Sequence, residues 1–393
     1  MTPQRYRIAV LLDTSRAYDR DVLKGITHFN KLYDKFTFFF YSPTYIQPAD
    51  SDKLWTRLQH WHPDGIIARE TAGMDQLQSF QVPLIISPHT QTYPDCINLW
   101  ADNKAIGELA ARYFVEKGYK HLGFIGFKEF QWSIERQQAF IHSLQACSLF
   151  AEAFLFDSQQ MSWEDLPSNL GQWAQQLPKP CAVFSATDEL NIHLLEAARK
   201  VNLSIPDELA LLGVDDDQLL CEMMQPTLSS IDQNAFQAGY QVAEGMLHWL
   251  DSNHPPEADF IIPPKTVVVR QSTSSLAIDD PQIRLALSFI GEHAPFKNIR
   301  VEDVIAVTHH SRRILEKKFK SQLNTSILDQ IRLVRINRIK YLLSESTLTI
   351  QQIAYEMDFE NPDNITRYFR QATGYSPLEY RKKYQSGNAA PLH

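Results

Sequence analysis

Only four cysteines occur in 393 residues, Cys96, Cys147, Cys181 and Cys221. They are scattered, with no CxxC pair and no metal-ligand spacing. That excludes a disulfide framework and a zinc site, and the four read as reduced, mostly buried thiols of a cytosolic protein. No apolar run approaches the roughly 20 residues that a membrane-spanning helix needs. Met1-Thr-Pro-Gln-Arg leads straight into a strand, so no signal peptide is expected. The chain also lacks a GxxxxGK[ST] phosphate loop, a GxGxxG after its first strand, a GxSxG elbow and an HExxH helix. Its Asp and His residues show no nucleophile–base spacing. These absences speak against an enzyme, and no cofactor and no metal is expected.

What is present is ordinary in bulk and unusual in arrangement. A hydrophobic content of 44% with 21% charged residues fits a globular protein, and the length favours two or three domains. The net charge of -8 is unevenly spread. From Pro281 to Tyr384 there are 17 Lys and Arg against 11 Asp and Glu, a net of +6; the rest holds 21 basic and 35 acidic residues, a net of -14. A basic module on an acidic body suits a nucleic-acid reader whose larger part stays off the DNA.

The first 275 residues alternate strand and helix. RIAVLL (Arg7 to Leu12) is a continuous apolar run of the kind found in buried parallel strands. Helix is expected from about Tyr18 to Lys31, strand at FTFFFY (Phe36 to Tyr41), helix from Ser51 to Trp61, and strands at GIIA (Gly65 to Ala68) and PLIIS (Pro83 to Ser87). A helix capped by Asp102 stops at Gly118. The pattern restarts with HLGFIGF and a helix around Glu135 to Leu144. It continues with AVFSA (Ala182 to Ala186), a helix from Glu189 to Val201, and LALLGVDD (Leu209 to Asp216). This predicts an α/β architecture with two parallel sheets.

Ligands of such sheets bind beyond the carboxyl ends of the strands. Asp13 to Tyr18 follow the first strand and Ser87-Pro88-His89 follow PLIIS. Lys128, Trp132 and Arg136 follow GFIGF, Thr187-Asp188 follow AVFSA, and Asp215 to Asp217 follow LALLG. Carboxylates, an arginine and aromatic rings converging on a cleft suit a polyhydroxylated ligand, because carboxylates accept from hydroxyl pairs, guanidinium donates to them and a ring stacks on the C–H face. Taken singly, Asp102 and Asp188 read as helix N-caps, Asp215 to Asp217 as a solvated turn, and Trp132 as core.

The tracts WADNKAIGELAARYFVEKGYKHLGFIG, ERQQAF, FSATDELN, IPDELALLGVDD and PTLSSIDQNAFQAGYQVAE resemble the periplasmic-binding-protein-like effector domain of LacI/GalR-type regulators. The likeness covers Tyr6 to about Thr273. It implies two subdomains joined by three crossovers, near 100–120, 230–235 and 250–260, with the ligand between them. It also implies ligand contacts from Asp102, Arg136, Asp188, Asp215 and Gln233, which join Asp13, Tyr18, Ser87 and Trp132 as the candidate set. The DNA-binding headpiece usual in that family is not found ahead of the first strand.

VVVRQSTSSLAIDDP (Val267 to Pro281) loses apolar periodicity and marks a boundary. The expected division is an effector domain over 1–275, a linker over 276–281, an all-α domain over 282–384 and a flexible tail over 385–393. The all-α part writes one phrase twice, at Val301 to Lys320 and at Thr349 to Arg370, with a long helix from Ile327 to Leu343 between. Each copy is a short apolar helix, a turn and a second helix with polar faces, which is how one helix is offered to the major groove of double-stranded DNA. In the first copy Val304, Ile305, Ile314, Leu315 and Phe319 are the expected core. Ser311 is the cap and Arg312, Arg313, Glu316, Lys317 and Lys320 face outward. Arg313, Glu316 and Lys317 stand at groove-facing spacing for base edges. In the second, Asn361-Pro362 starts the helix and Asp363, Asn364, Thr366 and Arg367 form the polar face. Arg332, Arg335, Arg338 and Lys340 on the connecting helix are candidates for phosphate contacts.

SRRILEKKFK, the connecting helix ending in LL, IAYEMDF and ITRYFRQATGYSPLEYR are similar to the AraC/XylS class over about Pro281 to Tyr384. That likeness implies a seven-helix unit placing two helices in successive major-groove faces. The sequence departs from the pattern at Ile305, where a small residue is usual, and at His309 and Asp358, where the turns usually carry glycine. The first motif is expected to be the less regular, though both should form. The order of the two modules, with SRAYDRDVLKGI (Ser15 to Ile26), resembles regulators of xylose utilisation. It implies D-xylose as inducer, a transcription activator working as a homodimer, and contact with RNA polymerase. A different sugar, a sugar phosphate, a purine, or a repressor role are the alternatives.

Overall fold

The computed structural model describes residues 5–40, 51–71, 73–157, 160–274, 280–323, 325–359, 361 and 363–384. It divides into two units, Met1–Ala277 and Ile278–His393. No helix among the described residues is long and apolar enough to cross a membrane.

The first unit contains two α/β subdomains. One begins with β1 (Tyr6–Leu11), α1 (Ala17–Tyr33), β2 (Phe36–Phe40), α2 (Ser51–Trp61), β3 (Gly65–Arg69), α3 (Met74–Gln78), β4 (Leu84–Ser87) and β5 (Ile97–Ala101). The other runs through α4 (Asn103–Glu116), β6 (His121–Phe127), α5 (Gln131–Gln145), β7 (Ala151–Phe156) and α6 (Leu166–Gln176). It continues with β8 (Cys181–Ser185), α7 (Asp188–Lys200), β9 (Leu209–Val214), α8 (Gln218–Met223) and β10 (Ser229–Asp232). The chain then returns to the first subdomain through α9 (Ala235–Ser252) and β11 (Phe260–Ile262), and comes back to the second as β12 (Thr266–Val268). The sheet orders are β11-β5-β4-β3-β1-β2 and β12-β10-β9-β8-β6-β7. All pairs are parallel except β10 with β12, an antiparallel edge.

The crossovers fall at Asp102, between Asp232 and Ala235, and between Ile262 and Thr266. The third lies later than the expected 250–260. Residues 235–252 are a helix packed on α1, and β11 still belongs to the first sheet. The periodicity also gave no sign of the short strands β5, β7 and β11.

Period-two alternation explains why β1 is buried on both faces. Ile8 and Val10 join one apolar cluster with α1 and α9, while Ala9 joins another beneath α2 and α3. The α1–α9 contact depends on glycine. A Cβ at Gly239 would strike the Val22 backbone and one at Gly25 the Phe236 carbonyl, so the two helix backbones touch. As expected, Gly118 stops α4: it follows the C-cap Lys117, and its φ of +83° lets Tyr119 N donate back to Phe114 O at 3.1 Å.

The second unit comprises, among the described residues, α10 (Pro281–His293), α11 (Val301–Ala306), α12 (Arg312–Leu323), α13 (Ile327–Glu345), α14 (Ile350–Glu356), α15 (Asn364–Thr373) and α16 (Pro377–Tyr384). Pro281, expected in the linker, is the first residue of α10, where Asp280 caps the helix by accepting from Gln282 N at 3.0 Å. Most of the expected linker and the tail 385–393 lie outside the described residues. Two separate cores explain the repeated phrase. Ile283, Val304, Leu315, Phe319 and Ile331 form one, and Ile339, Leu343, Ile353, Ile365 and Phe369 the other. The two ends of α13 serve different cores. Ile314, expected inside, is 46% exposed, because the core side of α12 is filled by Leu315 and Phe319.

Candidate functional site

The carboxyl-end loops of both sheets in the first unit meet in one cleft. Tyr18 after β1, Arg69 at the end of β3 and Ser87 at the end of β4 face Trp132 after β6, Asp188 after β8, Asp215 after β9 and Gln233 after β10. β1 lies between β2 and β3, and β6 between β7 and β8, so the cleft sits at the two points where strand order reverses.

Arg136 organises it. The side chain is only 3% exposed, and every nitrogen of its guanidinium donates: Nε to Asn103 Oδ1 at 3.0 Å, Nη1 to Ala186 O at 2.6 Å, and Nη2 to Gln233 Oε1 at 2.8 Å. Gln233 in turn donates from Nε2 to Asp215 Oδ1. Asn103 and Gln233 stand at two of the crossovers, so one buried cation ties both together. Its guanidinium lies over the Trp132 ring, 5.0 Å from the centroid. α5 comes close enough for this because a Cβ at Gly107 would lie 2.5 Å from Arg136 O. Burial pushes the Arg136 pKa down to about 10, with Asp215 opposing, and the group remains a cation at neutral pH.

The carboxylates are perturbed the other way. Burial raises Asp215 to about 6, with Arg136 opposing the rise. Burial and then the Asp215 charge hold Asp188 well above the usual carboxylate range. Asp188 Oδ2 accepts from Asp217 N at 3.1 Å and from Cys221 Sγ at 3.4 Å. Its Oδ1 and the Tyr18 hydroxyl are buried with no hydrogen-bond partner among the described residues. Orphaned buried polar atoms in a cleft are what an incoming ligand rich in hydroxyls satisfies. Asp215 also sits at φ +112° and Asp216 at φ +48°, a strained turn that aims the Asp215 carboxylate at Gln233.

Of the expected ligand residues, the cleft gathers Tyr18, Ser87, Trp132, Arg136, Asp188, Asp215 and Gln233. Two are placed elsewhere. Asp102 does not line it, being the N-cap of α4, with Oδ1 accepting from Ala105 N at 2.8 Å; the next residue, Asn103, lines the cleft instead. Asp13 turns to Ser15 at 2.6 Å and Arg16 at 3.7 Å, and lines the adjoining cavity rather than this cleft. Asp188 is not the cap of α7, since Thr187 performs that role. Lys128 pairs with Asp157 at 3.2 Å, away from the cleft. Arg69 and Glu189 line the site without having been singled out. The signal for Arg69 was its position at the carboxyl end of GIIAR, the same rule that selected its neighbours. Arg69 is held by the fully buried Asp19 at 2.9 Å. Two ion pairs join the lobes across the cleft, Arg20 with Asp217 at 2.8 Å and Arg16 with Glu189 at 3.5 Å.

In the second unit, α12 and α15 present polar faces. Arg312, Arg313 and Lys317 are exposed and Glu316 is half-buried; Ser311 precedes α12, its backbone carbonyl accepting from Leu315 N at 3.0 Å. Arg312 is engaged with Glu302 at 2.7 Å. On α15, Asp363, Asn364, Thr366 and Arg367 are all exposed, while Ile365 and Phe369 point inward. The helix starts at Asn364, later than expected, and Pro362 lies outside the described residues. Arg335 is a correction. Expected to meet DNA, it is 3% exposed, donates to the carbonyls of Ala294 (3.2 Å), Lys297 and Met357 (2.5 Å), and lies over the Phe359 ring. It falls between Ile331 and Ile336, where α13 passes from one core to the other, and so is inside the protein.

The two turns differ. Asp358 takes the left-handed conformation, φ +55°, and Phe359 N donates to Ala354 O at 2.9 Å, the arrangement usually made with glycine. His309 is not left-handed; its backbone N donates to Gln282 Oε1 at 2.7 Å, so α10 closes the first turn.

Residues 111–273 match the periplasmic binding protein-like domain, and residues 305–383 match a helix-turn-helix domain. The chain is 27% identical over 391 residues to the xylose operon regulatory protein of Escherichia coli K12, covering 97% of this chain and 98% of the relative. The Haemophilus influenzae xylose operon regulatory protein is 28% identical over 393 residues, covering 97% and 99%. Among solved structures, the xylose-binding transcription activator xylR superposes with a TM-score of 0.78 at 25% identity, over 98% of this chain and all of that one. A regulator from Alkaliphilus metalliredigens in complex with D-xylulofuranose shares the fold of the first unit, with a TM-score of 0.55 at 20% identity over 69% of this chain and 100% of that one.

Proposed function

We propose that this chain, a sugar-responsive transcription regulator with a periplasmic-binding-protein-like sensor and a helix-turn-helix output domain, takes D-xylose as its effector and activates genes of pentose use. The buried bank running from Arg136 through Gln233 and Asp215 to Asp188 carries the reading. It offers paired acceptors and a fixed donor to a small polyol, in a cleft that Trp132 helps to line. Similarity to xylose operon regulatory proteins along nearly the whole chain narrows the polyol to a pentose. A sugar phosphate is disfavoured, since three arginines of the cleft (Arg16, Arg69, Arg136) meet four carboxylates (Asp188, Glu189, Asp215, Asp217), leaving no surplus of positive charge for a dianion.

On this reading the sugar is contacted by Tyr18, Ser87, Asn103, Trp132, Arg136, Asp188, Asp215 and Gln233. DNA is read by Arg313, Glu316 and Lys317 of α12 and by Asp363, Asn364, Thr366 and Arg367 of α15. The regulator works in the cytoplasm as a homodimer on repeated half-sites and engages RNA polymerase. Sugar shifts the equilibrium between two arrangements only by its differential affinity for them. Thermal unfolding of the full chain against a panel of pentoses, hexoses and purines tests the effector. A ligand at 100 times its Kd adds about 2.7 kcal/mol. Stabilisation by D-xylose is expected, and stabilisation by a purine alone would overturn the assignment.

A further inference from the structure

Beyond Trp132 a second cavity adjoins the cleft. Arg16, Arg69, Trp132 and Glu189 line both spaces and stand at their shared boundary. The walls of this annex are aromatic, with Trp55 contributed by the first subdomain and Phe127, Phe130 and Trp163 by the second. The second-subdomain rings form one contiguous cluster. Phe130 stacks on Trp132 with centroids 5.5 Å apart and planes 11° apart, Phe127 meets Trp132 edge-on at 5.7 Å, and Trp163 lies 6.3 Å from Phe127. Although packed on Phe156 at 4.6 Å, Trp163 leaves half of its surface exposed. Polar groups line it too: Asp13, Glu70, Thr71 and His89 come from the first subdomain, and Arg16 and Glu189 pair at 3.5 Å beside the cleft.

A cavity lined by both aromatic rings and polar groups suits a sugar ring, whose C–H face is apolar and whose rim carries hydroxyls. Because the annex adjoins the Arg136 cleft, one ligand with two rings reaches both. We propose that the annex is a second sugar subsite and that the sensor accepts a pentose disaccharide or longer oligosaccharide, one ring on Arg136 and the next against Trp163. This rests on the pentose reading above.

Calorimetric titration of the full chain with D-xylose, xylobiose and xylotriose tests it, on the natural sequence and on Trp163→Ala and Trp55→Ala. Xylobiose is expected to bind about tenfold more tightly than D-xylose. Each substitution should remove that advantage and leave the D-xylose affinity unchanged; the two tryptophans come from different subdomains, so the test does not depend on one variant folding. Tight D-xylose binding with xylobiose equal or weaker overturns the second subsite and leaves the pentose reading standing. Binding of neither overturns both. Equal loss of D-xylose and xylobiose in both variants marks the tryptophans as structural and also overturns the subsite.

Discussion

Arg335 Nη2 lies 2.5 Å from the backbone carbonyl of Met357, joining the connecting helix of the DNA-binding unit to the end of α14. Nη1 reaches back to Ala294 and Lys297 beside α10. One guanidinium thus spans the seam between two cores that share no apolar cluster. Burial lowers the Arg335 pKa, with the neighbouring Tyr368 opposing.

Substituting Arg335→Ala leaves three carbonyls without their donor. It is expected to destabilise the second unit by about 3 kcal/mol, seen as an early thermal transition, while sugar binding by the first unit is unchanged. Arg335→Lys should recover only part, because an ammonium lacks the planar fork. A variant of normal stability whose DNA affinity merely shows a weaker salt dependence would restore the phosphate-contact reading.

Arg136→Ala removes the donor that fixes Asn103, Ala186 and Gln233. D-xylose affinity by calorimetry should fall at least about 100-fold, roughly 2.7 kcal/mol, with DNA binding by the second unit retained. Unchanged sugar affinity would remove Arg136 from the site.

Sugar affinity should depend on pH through Asp215, raised to about 6 by burial. The ionised carboxylate is the better acceptor for sugar hydroxyls. Affinity is therefore expected to be level above about pH 7 and to fall by up to about tenfold per pH unit below 6. Stability of the sugar-free unit moves oppositely. Because the folded pKa exceeds the unfolded one, the Asp215 contribution is fully present below about pH 4 and is lost as pH rises to about 6. Asp215→Asn should flatten both profiles, measured by calorimetry between about pH 5 and 8 and by denaturant unfolding between about pH 4 and 8. A sugar-binding profile that keeps its slope in Asp215→Asn assigns the titration to another group.

Arg367 and Arg312 make a contrasting pair on α15 and α12, the two helices proposed to face DNA. Arg367 is exposed on α15, whereas Arg312 is already paired with Glu302. Arg367→Ala is expected to weaken operator binding by about 1–3 kcal/mol and to relax preference at one base position. Arg312→Ala should cost less. Fluorescence anisotropy with single-base operator variants measures both, and a larger loss for Arg312→Ala would reverse the assignment.

The departure at Asp358 shows how far local sequence carries. Aspartate tolerates a left-handed turn less well than glycine, yet the second turn, which was expected to form, takes that conformation and the Asp358 carboxylate also accepts from Asn298 N at 3.1 Å. His309, with the same expectation, sits in a turn closed by Gln282 from another helix, a partner that no local pattern reveals.

Sequence alone determined the alternation of strand and helix, the two parallel-sheet lobes and the basic repeated module, and seven of the nine residues it singled out for the ligand line the cleft. These are readable because apolar periodicity and strand-end placement are local properties of the chain. Tertiary structure decided which polar residues line the cleft. Asp102 and Asn103 are neighbours at a helix start, and only the path of the crossover makes one a cap and the other a cleft residue. Arg335 and Arg338 both lay on an expected polar stripe, but the packing of α10 and α14 around one end of that stripe buried Arg335. A charged residue's partners come from remote segments, and the sequence of its own helix does not contain them.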